Sequence, residues 1–258
     1  MEALTGLIVE VAGISDTKVG EEVTDIYPRK PNQYKIGLGL GDSSRLLGLD
    51  LSENDIKNAL DKLKFGYQKI KVVQAVTELA RKFVGTPYHY GASVTFDAPR
   101  EFDCSGFVSY LYRECGANLP RMTVDQYLFT GRIERGDFLP GDLIFSRKNA
   151  EEGVKYKSIE FLPGSLCEKG VSHVGLYLGN GEVIHASGSK EANRVLIENL
   201  DNSSSFENIV GCGRVLAEDV ERYVVSVPYE RLDLWPLKGR IFSSGTTADL
   251  IEEIGRII

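Results

Sequence analysis

The chain has 258 residues, 42% of them hydrophobic and 26% charged, an ordinary composition for a globular protein with a real core in one large or two modest domains. Its formal charge of −7 excludes nucleic-acid binding through a broad basic surface, although not through a local patch. Glu2 and Glu10 stand where a secretory signal carries Lys or Arg, and no stretch approaches the roughly 18 apolar residues of a membrane span, so a cytoplasmic location with no membrane partner is expected.

In chain order, a short alternating stretch around Tyr34, Ile36 and Leu38 comes first. A helix follows, opened by Ser52 with Asp55 three positions on, a variant of the capping box; Ile56, Leu60 and Leu63 recur at helical spacing, and Gly66 is expected to end it. A second helix is expected from about Ile70 to Val84, stopped by Gly85-Thr86-Pro87, and a third from Cys104 through Phe107, Val108, Leu111 and Tyr112 to Gly116. Beyond Pro140-Gly141 the texture changes to short runs rich in Val, Ile and Leu: Asp142 to Ser146, Val171 to Leu178, Glu182 to Ala186, Val195 to Asn199 and Ile209 to Leu216. Asn180-Gly181 marks a two-residue hairpin, and residues 147–170 read as a long surface loop. Helices followed by an antiparallel sheet make an α+β pattern.

The four cysteines, Cys104, Cys115, Cys167 and Cys212, form no C-x-x-C pair, which argues against a disulfide framework or zinc knuckle. Cys104, in Asp103-Cys104-Ser105-Gly106-Phe107, falls at a helix start, where the helix dipole favours a thiolate. Its alternative is a buried core cysteine. Of three histidines, His173 and His185 flank the Asn180-Gly181 turn. A tight hairpin there sets position 173 opposite about 188 and 185 opposite about 176, so the imidazoles sit diagonally. Taken alone, His173 reads rather as a hydrogen-bonded sheet histidine. Two histidines on one hairpin and a helix-capping cysteine together fit a nucleophile, a base and a group that orients the base.

Gly85-Thr86-Pro87-Tyr88, Asp103 to Phe107, Leu119-Pro120-Arg121, Leu139 to Phe145, Ser172 to Gly181 and Val183 to Ser187 together resemble the successive motifs of the NlpC/P60 cysteine peptidases over about residues 70–218. The resemblance implies a papain-like α+β fold, no cofactor, and hydrolysis of peptidoglycan stem peptides or free muropeptides at the γ-D-glutamyl–diamino acid bond. It makes Cys104 the nucleophile, His173 the base, His185 the orienting third member and Tyr88 part of the oxyanion site. Asp103 and Ser105 match positions that hold the substrate's amino end. Ala92 departs from a frequent glycine, Ser93 to Phe102 is longer and more acidic than usual, and residues 147–170 are an expansion.

The flanks resemble a different domain, the B5 domain of phenylalanyl-tRNA synthetase β chains, split in two. Residues 33–68, with Arg45-Leu46-Leu47-Gly48-Leu49-Asp50-Leu51-Ser52, resemble its first half, and residues 219–258, with Val225 to Asp233 and Asp249 to Arg256, its second. Residues 1–32, with Asp25-Ile26-Tyr27-Pro28, resemble the segment before it. The peptidase then reads as an insertion in a surface loop. This likeness implies Mg2+ on Asp233, Asp249, Glu252 and Glu253, and RNA or a synthetase-like subunit as partner; a solvated acidic helix face is the alternative. Three functions therefore compete: an endopeptidase, a synthetase-derived RNA-binding or scaffold protein, and an amidase or deamidase on the same fold.

Overall fold

A computed structural model of the chain describes residues 35–39, 41, 48, 50–147, 156–158, 160–167, 170–216 and 221–226. Three strands form a small antiparallel sheet in the order β1 (Lys35–Leu38), β11 (Glu221–Ser226), β2 (Gly66–Lys71). Its outer members precede residues 72–216 in the chain and its central strand follows them, so the two flanks meet in one hydrogen-bonded unit. Helix α1 (Glu53–Lys62) covers this sheet by burying Ile56 and Leu60 against Tyr223 and Val225. Its capping box is complete: the Ser52 hydroxyl accepts from the Asp55 N–H, and the Asp55 carboxylate accepts from the Ser52 N–H at 2.9 Å.

Two boundaries differ from the sequence reading. Lys64, at φ 57°, turns the chain after α1, and Gly66 opens a strand instead of closing the helix. That strand consumes Ile70 and Lys71, so helix α2 runs only over Val72–Arg81, with Val72, Val76 and Ala80 buried. Helical periodicity continues through Ile70, but ladder bonds to β11 decide its conformation.

Helix α3 (Cys104–Glu114) is capped by Asp103, whose carboxylate accepts the Gly106 N–H at 2.7 Å. A seven-residue helix, α4 (Thr123–Phe129), and a short strand, β3 (Gly131–Ile133), follow; neither was expected, being too short for a periodic signal. The main sheet then comprises β4 (Leu143–Ser146), β7 (His173–Gly179), β8 (Glu182–Ser187), β9 (Arg194–Asn199) and β10 (Ile209–Arg214), in the antiparallel order β3-β10-β4-β7-β8-β9. One face of the sheet carries α3, whose Phe107, Val108 and Leu111 pack with Val174, Leu176, Ile184 and Ala186. The expected α+β architecture is the observed one. At the other end of β4, Arg214 grips the buried Asp142 carboxylate with two bonds of 2.8 Å and ties the Pro140-Gly141 turn to β10.

The expansion at 147–170 is more ordered than a loop where it is described. Strands β5 (Tyr156–Lys157) and β6 (Leu166–Cys167) pair, and the fully buried Asp125 of α4 accepts from the Ser158 hydroxyl and from the N–H groups of Phe161 (3.1 Å) and Glu160 (3.3 Å). A buried carboxylate has to be matched by such donors, so it fixes the backbone around it.

The β7–β8 hairpin turns at Asn180-Gly181, both at positive φ, as expected. Its register departs from expectation within two residues. Gly179 pairs with Glu182, but Tyr177 pairs with Val183, leaving Leu178 as an additional residue on β7. Carried along the hairpin, this bulge sets position 185 opposite 175, not 176. Because side chains alternate faces, the shift brings His185 to the face that His173 occupies.

Gly175 leaves the room this arrangement requires. A Cβ there would lie 2.6 Å from the Phe206 ring, 2.7 Å from Val183 and 3.2 Å from the His185 Cβ. Gly175→Ala is expected to cost about 1–3 kcal/mol by overpacking, read as a lower urea midpoint at unchanged slope. An unchanged midpoint would contradict this packing.

Candidate active site

Cys104 occupies the first position of α3, between the Asp103 cap and the small residues Ser105 and Gly106. Its sulfur lies 3.9 Å from the Thr123 hydroxyl, and the nearby backbone N–H groups of Ser105 and Val174 favour its ionised form. Cys104 and His173 line one cleft of about 770 Å³, together with Tyr88, Asp103, Ser105 and Arg121.

His173 Nε2 and His185 Nδ1 are 2.8 Å apart, with the rings nearly perpendicular and their centroids separated by 4.9 Å. Phe206 packs on both rings. His185 is wholly buried, and its other nitrogen, Nε2, lies 3.0 Å from Glu198 Oε2 on β9. The Ser203 hydroxyl donates to that same carboxylate oxygen. Two imidazoles and a carboxylate thus follow one another from the cleft, through the buried His185, to the partly exposed Glu198.

The electrostatics correct one expectation. A helix start alone does not make Cys104 a thiolate. Burial of the sulfur pushes the thiol above its ordinary value and the Asp103 carboxylate adds to this, while the Thr123 hydroxyl and the two N–H donors oppose both. Burial and Asp103 thus work against ionisation of this thiol. Tyr88 is pushed up to about 12, first by its own burial and then by Cys104 and Asp103, so its hydroxyl keeps its proton and is a donor at neutral pH.

Asp103 and Ser105 are engaged within the chain. The Arg121 guanidinium donates to Asp103, to the Ser105 hydroxyl at 2.8 Å and to the Ala92 carbonyl at 2.9 Å. The Gly91 N–H adds a further bond to Asp103, at 3.1 Å. The backbone N–H of Arg121 meets Glu160 of the expansion at 2.5 Å. Arg121, Thr123 and Glu198 were not singled out by sequence reasoning. Arg121 stands within a quoted motif and so carried a signal; Glu198, in an ordinary strand pattern, carried none. Asp233, Asp249, Glu252 and Glu253 lie outside the described residues. Among the described residues, no three His, Cys, Asp or Glu side chains are grouped to hold a metal ion.

A family model described as "NlpC/P60 family" matches residues 85–214, half of the chain. The chain belongs to the NlpC/P60 family. Its NlpC/P60 segment is 37% identical over 136 residues to "Probable endopeptidase p60" of Listeria welshimeri, covering 53% of this chain and 21% of that protein. "Gamma-DL-glutamyl hydrolase" of Bacillus subtilis (strain 168) is 27% identical over 168 residues, covering 60% of this chain and 35% of that protein. The solved NlpC2 of Trichomonas vaginalis aligns with a TM-score of 0.46 at 23% identity, over 57% of this chain and 48% of that one. The chain spans about a fifth of the length of the Listeria relatives.

Cysteine reactivity separates this thiol from the others. Cys104 is partly exposed, whereas Cys115, Cys167 and Cys212 are buried, and burial pushes Cys115 and Cys212 up to about 12. Iodoacetamide at neutral pH is expected to alkylate Cys104 in the folded protein and the other three only after denaturation. In His173→Ala, the Cys104 rate should rise only above the ordinary thiol range of about 8.5, since a raised thiol stays protonated until pH exceeds its own value. Equal rates at all four cysteines would remove Cys104 from the chemistry.

Proposed function

We propose that this NlpC/P60 protein is a cysteine endopeptidase that hydrolyses peptidoglycan stem peptides or free muropeptides at the γ-D-glutamyl–diamino acid bond. The observation that carries the reading is the open cleft that Cys104 and His173 line together, with His173 Nε2 2.8 Å from His185 Nδ1. The names of the relatives, an endopeptidase and a γ-glutamyl hydrolase, support the choice of bond.

In this proposal the thiol proton passes to His173 as Sγ attacks the scissile carbonyl carbon. The C=O electron pair moves onto oxygen, and the Tyr88 hydroxyl donates to the resulting oxyanion. When the C–N bond breaks, His173 returns the proton to the leaving amine, and a thioester remains. His173 then takes a proton from water, whose oxygen attacks the thioester; the acid is released and the thiol restored. His185 holds the His173 ring in place.

A γ-linked glutamyl residue keeps its α-carboxylate, and Arg121 is a cation on the cleft wall suited to receive it. Asp103 and Ser105 then act by holding Arg121, because a substrate ammonium would have to compete with that guanidinium. This differs from the amine-end role that the family resemblance implies for them.

The test is the products from L-Ala-γ-D-Glu-diaminopimelate peptides, read by mass spectrometry. A mass gain of one water with release of the diaminopimelate amine is expected, and Cys104→Ala should be inactive. An intact peptide, with ammonia released instead from a glutamine-bearing protein, would establish the deamidase reading.

The flanks support a second proposal, a split B5-like domain that binds RNA or a synthetase-like partner, with magnesium on Asp233, Asp249, Glu252 and Glu253. Pairing of β1 with β11 across the intervening NlpC/P60 segment favours a domain divided by an insertion. A tRNA gel shift is expected at low salt and should weaken as salt rises; no shift at low salt would end the RNA reading.

A further inference from the structure

We propose that Glu198 is a positioning residue that sets the tautomers of both imidazoles, through the unbroken sequence Glu198 Oε2, His185 Nε2, His185 Nδ1, His173 Nε2. The proposal rests on His173 acting as the base. The two ring nitrogens 2.8 Å apart can bond only if one carries hydrogen and the other does not. Which one does is not decided by the rings themselves. It is decided at the far end.

A carboxylate offers only lone pairs. The Ser203 hydroxyl already accepts the Ser205 N–H at 3.2 Å and turns its own proton onto Glu198 Oε2, so that oxygen is used as an acceptor there as well. His185 Nε2, 3.0 Å from the same atom, must therefore carry the hydrogen. A neutral imidazole has one N–H, which leaves His185 Nδ1 with a lone pair. His173 Nε2 must then donate to it, and His173 Nδ1 becomes the nitrogen with the lone pair. That is the nitrogen able to take the Cys104 proton.

The opposite arrangement shows what is at stake. A proton on Glu198 would let the acid donate to His185 Nε2 and reverse each bond in turn, leaving His173 Nδ1 already protonated and unable to act as a base. The groups facing this line are His173 on β7, His185 on β8, Glu198 on β9, the Ser203 hydroxyl, and Cys104 and Asp103 at the start of α3. Each proton in the line has one assigned position, and Glu198 is the carboxylate that meets His185 Nε2.

Long-range proton–nitrogen NMR of the histidine-labelled protein reads the tautomers directly. The wild-type protein is expected to show His173 and His185 both protonated at Nε2; Nδ1–H on either ring would overturn the proposal without any variant being made. Glu198→Met removes the acceptor and should mix the tautomers and slow Cys104 alkylation at neutral pH by about tenfold or more. Glu198→Gln, whose amide oxygen still accepts, should keep the wild-type tautomers and most of the alkylation rate. Wild-type tautomers and rate in Glu198→Met would also overturn it. The outcome is separable from the proposed activity, because slow alkylation of wild-type Cys104 defeats the peptidase reading whichever tautomers are found.

Discussion

For two imidazoles on one hairpin to share a hydrogen bond, both rings have to stand on the same face of the sheet, and Leu178 brings this about. As an additional residue on β7, it shifts the register by one position, turning His185 from the face of residue 176 to that of residue 175. The consequences follow in order. His185 reaches His173, its second nitrogen reaches Glu198 on β9, and Phe206 closes over both rings because Gly175 offers no Cβ to obstruct it.

The thiol is held by a different kind of constraint. Helix α3 is anchored by the Asp103 cap and by Phe107, Val108 and Leu111 in the core, and its first residue lines the same cleft as His173. Burial of the sulfur works against its ionisation, and so does Asp103. In the proposed reaction the thiol therefore keeps its proton until His173 takes it. Such a site needs the base correctly protonated more than it needs a helix dipole.

Asp103 joins the two halves of this design. One oxygen caps α3 and the other, with the Ser105 hydroxyl and the Ala92 carbonyl, secures Arg121 on the cleft wall. The Ala92 carbonyl and Glu160 of the expansion both meet Arg121 on that wall, the first at the guanidinium and the second at the backbone N–H.

Much of this was legible in the residues alone. Apolar periodicity set α3 on the sheet, Asn180-Gly181 set the turn, and Asp103-Cys104-Ser105-Gly106 with two scarce histidines named the candidate site, because these depend on local propensity and on motifs contiguous in the chain. Tertiary structure decided the rest. Whether Ile70 joined a helix or a strand depended on β11, more than 140 positions away, and whether the histidines met depended on a bulge that no turn signal announces. Glu198 and Arg121 act through partners distant in sequence, and the raised thiol reflects how much water the fold removes. Local patterns determine elements and nominate chemistry; register, burial and hydrogen-bond partners arise only when distant segments come together, since each is a property of a pair.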